Sequence, residues 1–494
     1  MADVERPEIG VYDRVRVDEP GWPGALTRSE SFSVLDAPPP AGTPWHVEEP
    51  PSVDTFYAWE GAEALALEPW TEAGQRGAGV KVAVFDVQWF NAEELPEELG
   101  DAQSHDCEGT RSCDLPMDTL HPRYSWEEGS HGVACAEIVH DYAPDAELHL
   151  VRVNGPTTFE NAVDWAIRND IDVVSLSMSF FNNSFHDGTG VMNDAAARLA
   201  DAGTLLVSSS GNYAQEHWSG EWRDLDNDGW LDFPWGSSYL PIHYNEGGGG
   251  ADISWDEFSA CGRNDFDVYA VNRDGELVGA AEDVQDGNGD HCAPVEHLSV
   301  HADTEDWYWL RIHRRRGAGA VKLALLAKGG SVYFQEPGGL ADPASGASTF
   351  TVGAVRADGY AHNGPEFFSS TGPTHAGAPK PDIAGPDGLS SRIYGSSGFY
   401  GTSASTPAVA ATIALILGED PDLTPRQAAD RLAANTLDGG YTWSAPDGEL
   451  GAGRARLWSL GDEDANGCAG GGAAAIVAPL LWWGSFRRRG GCPR

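Results

Sequence analysis

Val80-Lys81-Val82-Ala83-Val84-Phe85-Asp86 is a short apolar run, broken only by Lys81, that stops at a carboxylate. It is too short for a stable helix and rich in the β-branched and aromatic residues that suit a pleated surface. Apolar side chains on both of its faces mark a strand covered from both sides, which is the situation of a strand inside a parallel sheet. Working outward, Glu147–Val153, Ile171–Met178 and Thr204–Ser208 are further runs of this kind, and helical periodicity fills 159–169 and 192–202 between them. Strands alternating with helices of this length predict βαβ units and therefore an α/β fold with a doubly wound parallel sheet.

The alternation stops near Gly211. Residues 214–345 carry short strand-like runs at Ile253–Phe258, Phe266–Val271, Val295–Val300, Trp307–Ile312 and Ala320–Leu326, with the turn cluster Asn272-Arg273-Asp274-Gly275 between two of them. This pattern predicts an all-β sandwich inserted into the α/β part. Trp255, Tyr269, Trp307, Tyr308 and Trp309 alternate with polar residues, and we read them as core residues of half-buried strands in preference to a sugar-binding platform. The α/β pattern resumes at Phe350–Val355 and ends in an Ala-rich helix beginning near Ser403. The expected organisation is a disordered leader or pro-segment remnant at 1–55, an α/β part at 56–213 and 346–459, the β insert at 214–345, and a tail at 460–494.

The 494 residues carry a net charge of −45 and only four lysines (Lys81, Lys322, Lys328, Lys380), which excludes a polybasic nucleic-acid surface. With 41% apolar residues and 18 tryptophans the chain can bury a large core and is no acidic disordered tail. Seven cysteines are too few for a disulfide scaffold, and the odd number leaves at least one unpaired within the chain. Cys107/Cys113 and Cys261/Cys292 are expected to form short-range bridges of the kind found in exported proteins. No C-x2-C pair supports zinc.

The first residues lack a basic and apolar secretory signal, whereas the C-terminus holds Gly467-Cys468, an uncharged stretch over 470–486, and Arg487-Arg488-Arg489. This tail resembles bacterial C-terminal sorting signals made of a Gly-Cys motif, an apolar helix and an Arg cluster. The resemblance implies a secreted or cell-surface protein of the bacterial envelope, touching the membrane only through that segment. A monomer is expected.

Three segments carry the chemistry. The first strand ends in Asp86, Ser130-His131-Gly132 opens the helical run Val133–Val139, and Gly401-Thr402-Ser403-Ala404-Ser405-Thr406-Pro407 opens the last helix. A hydrolytic triad needs these three residue types: Ser attacks, His carries the proton, and a buried Asp fixes the imidazole tautomer. A Ser in the first turn of a helix also brings unpaired backbone N–H groups to a developing oxyanion.

With these motifs the chain resembles the subtilisin-like serine proteases (subtilases, peptidase S8). The matching stretches are Val82–Asp86, His131-Gly132, Ser209-Ser210-Gly211-Asn212 and Gly401–Pro407, supported by Phe368–Pro373 and Lys380–Pro386. The resemblance covers about 70–213 and 345–440, and it implies Asp86, His131 and Ser403 as triad with Asn212 as side-chain oxyanion donor. It places Ser177, Met178 and Ser179 on the strand that pairs with substrate backbone. The implied function is a serine endopeptidase acting on proteins or peptides through an acyl-enzyme, with no cofactor needed for the chemistry.

The chain departs from the family pattern at Val87-Gln88, Val133 and Glu137, where a hydroxyl residue with Gly, a Thr and a Gly are usual. These departures motivate one alternative, a weak or inactive protease-fold binding protein. The other alternative is the acid-active sedolisins, which share Gly-Thr-Ser-Ala-Ser-Thr-Pro. His131 and Asn212 stand where that family needs Glu and Asp, which favours the subtilase reading. Cys135, four residues after His131, is expected to be a buried structural thiol.

Asp224, Asp226, Asp228 and Asp232, with Gly229 for the sharp turn, match positions 1, 3, 5, 9 and 6 of a calcium loop. Trp235 occupies the position of the bidentate Glu, so the expectation is a structural Ca2+ outside an EF-hand, with a solvated turn as the alternative.

Overall fold

The computed structural model describes residues 58–460 except 91, 93–94, 109–111, 118–128, 261–262, 286–292, 335–336 and 439–447, together with four short strands nearer the N-terminus. The chain divides into two compact units, Met1–Leu457 and Trp458–Arg494. Only the first few residues of the second unit lie within the described residues, so the apolar tail at 470–486 falls outside them, as do Cys261, Cys292, Cys468 and Cys492.

Seven strands form one parallel sheet in the order Ile383–Asp387, Thr349–Arg356, Leu205–Ser209, Val173–Leu176, Lys81–Asp86, Glu147–Arg152, Gln103–Asp106. Lys81–Asp86 lies inside the sheet, paired on one side with Glu147–Arg152 and on the other with Val173–Leu176. That is why its apolar residues run uninterrupted from Val82 to Phe85. Alternate side chains point to opposite faces. Ala83 and Phe85 share a core with the helices Pro156–Arg168 and Val191–Ala202, while His131–Tyr142 and Thr402–Glu419 pack together over the opposite face.

From the central strand the chain reaches one neighbour through the His131–Tyr142 helix, then crosses to the other neighbour through Pro156–Arg168. A reversal of strand order of this kind opens a crevice at the carboxyl ends of the strands. Asp86 and Ser177 sit at or just beyond those ends.

Between Leu205–Ser209 and Thr349–Arg356 the chain makes two antiparallel sheets. One has the order His217–Glu221, Lys322–Leu326, Gly249–Trp255, Val295–Val300. The other runs Leu277–Ala281, Asp265–Val271, Asp306–Arg316, Leu240–Tyr244, Gly330–Val332. Both contribute to a single apolar cluster that includes Trp218, Ile253, Trp255, Phe266, Leu310 and Leu323.

The five aromatics read as core residues divide by strand alternation. Trp255 and Tyr308 are buried, but Tyr269, Trp307 and Trp309 lie on the other face of their strands and are half-exposed.

Within 1–55, read from composition as a disordered leader or pro-segment remnant, Val15–Val17, Ala25–Arg28, Ser33–Leu35 and Trp45–Val47 pair into one antiparallel sheet. Ladder bonds come from the backbone, so a weak apolar pattern does not forbid them.

Candidate active site

Asp86 is fully buried at the end of its strand. Its Oδ1 accepts the backbone N–H of Val87 at 2.8 Å and of Gln88 at 3.0 Å, and its Oδ2 lies 2.7 Å from His131 Nδ1. With Nδ1–H donating to the carboxylate, Nε2 is left as the basic nitrogen. Burial opposes a charge on the imidazole, but Asp86 outweighs it through its charge and its hydrogen bond, and the His131 pKa is raised above the ordinary value.

The neighbouring glycine makes this approach possible: a Cβ on Gly132 would stand 2.6 Å from Asp86 Cβ. Gly132 N–H also donates to Gln88 O at 2.9 Å, fixing the helix start to the loop after the strand.

Ser403 occupies the second position of the Thr402–Glu419 helix. Pro407 lies four residues on and has no N–H to give to the Ser403 carbonyl. That oxygen is met instead by Ser177 Oγ at 3.0 Å and by Cys135 Sγ at 3.6 Å. Cys135 is buried and unbridged, and its sulfur lies within 4.8 Å of ligand atoms on Asp86 and His131. One buried thiol therefore neighbours the acid–base pair and contacts the backbone of Ser403. Burial, with Asp86 adding to it, keeps this thiol well above its ordinary pKa, so it is protonated and acts as a donor.

Asn212 uses Oδ1 to accept from Thr402 N–H and Thr402 Oγ1, both at 3.0 Å. This fixes the orientation of the amide and leaves Nδ2 as its donor. Gly401 (φ 104°) is required beside it, because a Cβ there would meet Nδ2 at 3.0 Å. Asn212 and Ser403 line a common cleft with Ser177, Met178 and Ser179, the segment expected to pair with substrate. Asn212, Ser403 and the Ser177–Ser179 segment therefore surround one crevice at the carboxyl edge of the sheet, and Cys135 joins the Asp86–His131 pair to the Ser403 backbone.

Sequence reasoning missed several neighbours. The hairpin formed by Leu389–Ser391 and Gly395–Phe399 lies against the histidine, with the Phe399 ring edge-on to His131 at 5.8 Å and Tyr394 stacked on Phe399 at 5.0 Å. Glu137, which replaces the usual Gly, is buried and accepts Arg392 N–H of this hairpin at 2.8 Å. Desolvation pushes its pKa up to about 8, with Glu98 and Asp141 adding to the rise. Asp141, one turn further on, is raised by burial to about 7 while accepting Ala58 N–H at 2.9 Å. Asp387, raised to about 7 chiefly by burial, accepts Gly401 N–H at 3.0 Å. No periodicity marks these carboxyls, because each is held by backbone N–H groups distant in sequence.

Away from the cleft, carboxylate oxygens of Asp224, Asp226 and Asp232 lie within 4.8 Å of one another. Asp228 is not in that group, and its Oδ1 accepts Trp230 N–H at 2.9 Å. Asp224, Asp226 and Asp232 likewise accept backbone N–H groups of this loop, from Asp228, Gly229 and Leu225. The expected Cys107–Cys113 bridge is formed.

A family model described as the subtilase family (peptidase S8) matches residues 77–229 and 284–453. Among curated proteins, the chain is 25% identical over 179 residues to the minor extracellular protease Epr of Bacillus subtilis (strain 168). That match covers 32% of this chain, and the chain spans only about a quarter (24%) of that relative. Among solved structures, the Clostridium perfringens CspB protease superposes with a TM-score of 0.57 at 17% identity, covering 81% of this chain and 98% of that one. MycP1 from Mycobacterium smegmatis matches at 16% identity with a TM-score of 0.42, covering 82% and 85%. The family model takes in well over half of the chain and contains Asp86, His131, Asn212 and Ser403: this protein belongs to the subtilase family.

Proposed function

We propose that the protein is a serine endopeptidase that hydrolyses peptide bonds through an acyl-enzyme. The observation that carries the reading is the 2.7 Å contact of buried Asp86 with His131 Nδ1, a pair that Cys135 connects to the helix start bearing Ser403. In this mechanism Ser403 Oγ attacks the scissile carbonyl carbon while His131 Nε2 accepts the hydroxyl proton. Asp86 stays ionised, holds the tautomer and balances the imidazolium. The tetrahedral oxyanion takes hydrogen bonds from Asn212 Nδ2 and the Ser403 N–H. His131 then gives its proton to the leaving amine, and a water deprotonated by the same nitrogen releases the acid. Protein or peptide substrates present a backbone edge to Ser177, Met178 and Ser179.

The reading is tested with a fluorophosphonate probe and intact-mass detection. The wild-type chain gains one adduct and Ser403→Ala gains none. Equal labelling of the two, or none of either, rejects it; absence of labelling would favour an inactive protease-fold binder. A pH optimum near 3–4 would instead support the sedolisin-like alternative.

We further infer a secreted or envelope location. Its support is the Gly-Cys, apolar and Arg tail at 467–489, which lies outside the described residues, and the Cys107–Cys113 bridge, which suits an oxidising compartment. Among the described residues no helix is long and apolar enough to cross a membrane. Fractionation of cells expressing the full chain and a variant with Cys468 replaced tests the role of the tail: loss of surface retention is the expected result.

A further inference from the structure

The cleft beside Ser403 is bounded by two segments that leave adjacent parallel strands. Ser177–Ser179 follows Val173–Leu176, and Gly211–Tyr213 follows Leu205–Ser209. Tyr213 spans the gap between them. Its ring lies against Gly211 so closely that a Cβ there would stand 2.7 Å from two ring carbons. The ring is held from other sides as well. Phe181 meets it edge-on at 4.9 Å, and its own backbone N–H donates to Ser370 Oγ at 3.0 Å. Phe181 lies two residues beyond Ser179, so the ring is packed against both segments and tied at its backbone, and it does not swing aside at low cost.

The remaining space is modest. The cleft encloses about 390 Å3, near the lower end of the roughly 300–1,000 Å3 typical of ligand pockets, and it has to take substrate backbone as well as a side chain. Among the described residues lining it, none carries a charged side chain. A Lys, Arg, Asp or Glu entering it would be desolvated without a partner.

We propose that Tyr213 sets the substrate class of this site: it closes the crevice to bulky groups and restricts the residue on the acyl side of the scissile bond to small, uncharged side chains. This rests on the endopeptidase reading above, and the experiment separates the two. Peptide diphenyl phosphonates that differ only in having Ala, Phe or Lys at the acyl-side position are reacted with the full chain, and the rate of Ser403 adduct formation is followed by intact mass. A small fluorophosphonate lacking that side chain serves as reference.

The wild type should react faster with the Ala probe than with the Phe probe by at least about tenfold, within the range of roughly 10–200-fold that pocket shape supplies. Tyr213→Ala should move the Phe-to-Ala ratio upward by at least about tenfold, while Tyr213→Phe keeps the wild-type order and the Lys probe stays slow in all three. A smaller change in Tyr213→Ala, or a wild type that prefers Phe, overturns the inference while normal reference labelling leaves the endopeptidase reading standing. Failure of the reference probe to label the wild type overturns both.

Discussion

Gly132 shows how little room the acid–base pair leaves. With Asp86 Cβ 2.6 Å from where a methyl group would go, Gly132→Ala has to push the strand end and the helix start apart. Displacements near 1 Å cost about 10²-fold in rate, so this variant should lose activity on that order while its circular dichroism stays unchanged. Asn212→Ala should lower kcat by about 10²–10³-fold with little change in KM, a magnitude carried over from subtilisin, where such a donor has been removed. The pH profile is set at the same scale. Because Asp86 outweighs burial and raises the His131 pKa, the base loses activity as pH falls through a value above the ordinary imidazole pKa of about 6.5. Asp86→Ala should shift that limb to lower pH in the residual activity, as a pH–rate titration would show.

The His131–Tyr142 helix carries a buried carboxyl, Glu137, and a half-buried one, Asp141, besides the histidine at its start. Glu137, raised to about 8, is neutral in the folded state over much of the range in which it would be ionised when unfolded. A folded-state pKa above the unfolded one means a stability cost that is absent below about 4.5 and grows until the pH passes about 8. Glu137→Gln removes that cost and can still accept from Arg392 N–H. Its melting temperature should therefore exceed the wild type's by a margin that widens between those pH values, reflecting an unfolding free-energy difference on the order of a few kcal/mol at the alkaline end. Parallel curves would refute this. In the Thr402–Glu419 helix, Pro407 frees the Ser403 carbonyl and Ser177 and Cys135 receive it, so an element usually stabilised from within is tied at its reactive end to two other elements.

For the whole molecule, the long segment between two strands of the parallel sheet has its own apolar cluster around Trp255 and Phe266. Near its beginning stand Asp224, Asp226 and Asp232, whose carboxylates converge and suit a hard cation such as Ca2+. If they hold one, millimolar Ca2+ should raise the melting temperature of the wild type by a few degrees and leave Asp224→Asn/Asp226→Asn unaffected. Chelation should reverse the gain without changing fluorophosphonate labelling. Identical curves with and without Ca2+ would remove the ion from the account. The acidic surface behind the −45 net charge serves solubility and has no bearing on which residues meet in the cleft.

Composition and pattern by themselves determined the parallel sheet, because strands covered on both faces must be apolar throughout and their helices must show a 3.6-residue period. They also marked Asp86, His131 and Ser403, because each stands at the boundary of an element where Gly and small residues leave a signature, and the resemblance to the subtilases added Asn212. Short or polar strands escaped notice, among them Gln103–Asp106, His217–Glu221 and the hairpin that carries Phe399, since their stability comes from the neighbours they pair with. Only the tertiary structure decided that Glu137 would be buried against Arg392, that Cys135 would reach the Ser403 carbonyl, and that the Tyr213 ring would meet Phe181. The reason is common to all three: a contact between residues separated by tens to hundreds of positions depends on where two elements pack, and no local period encodes it.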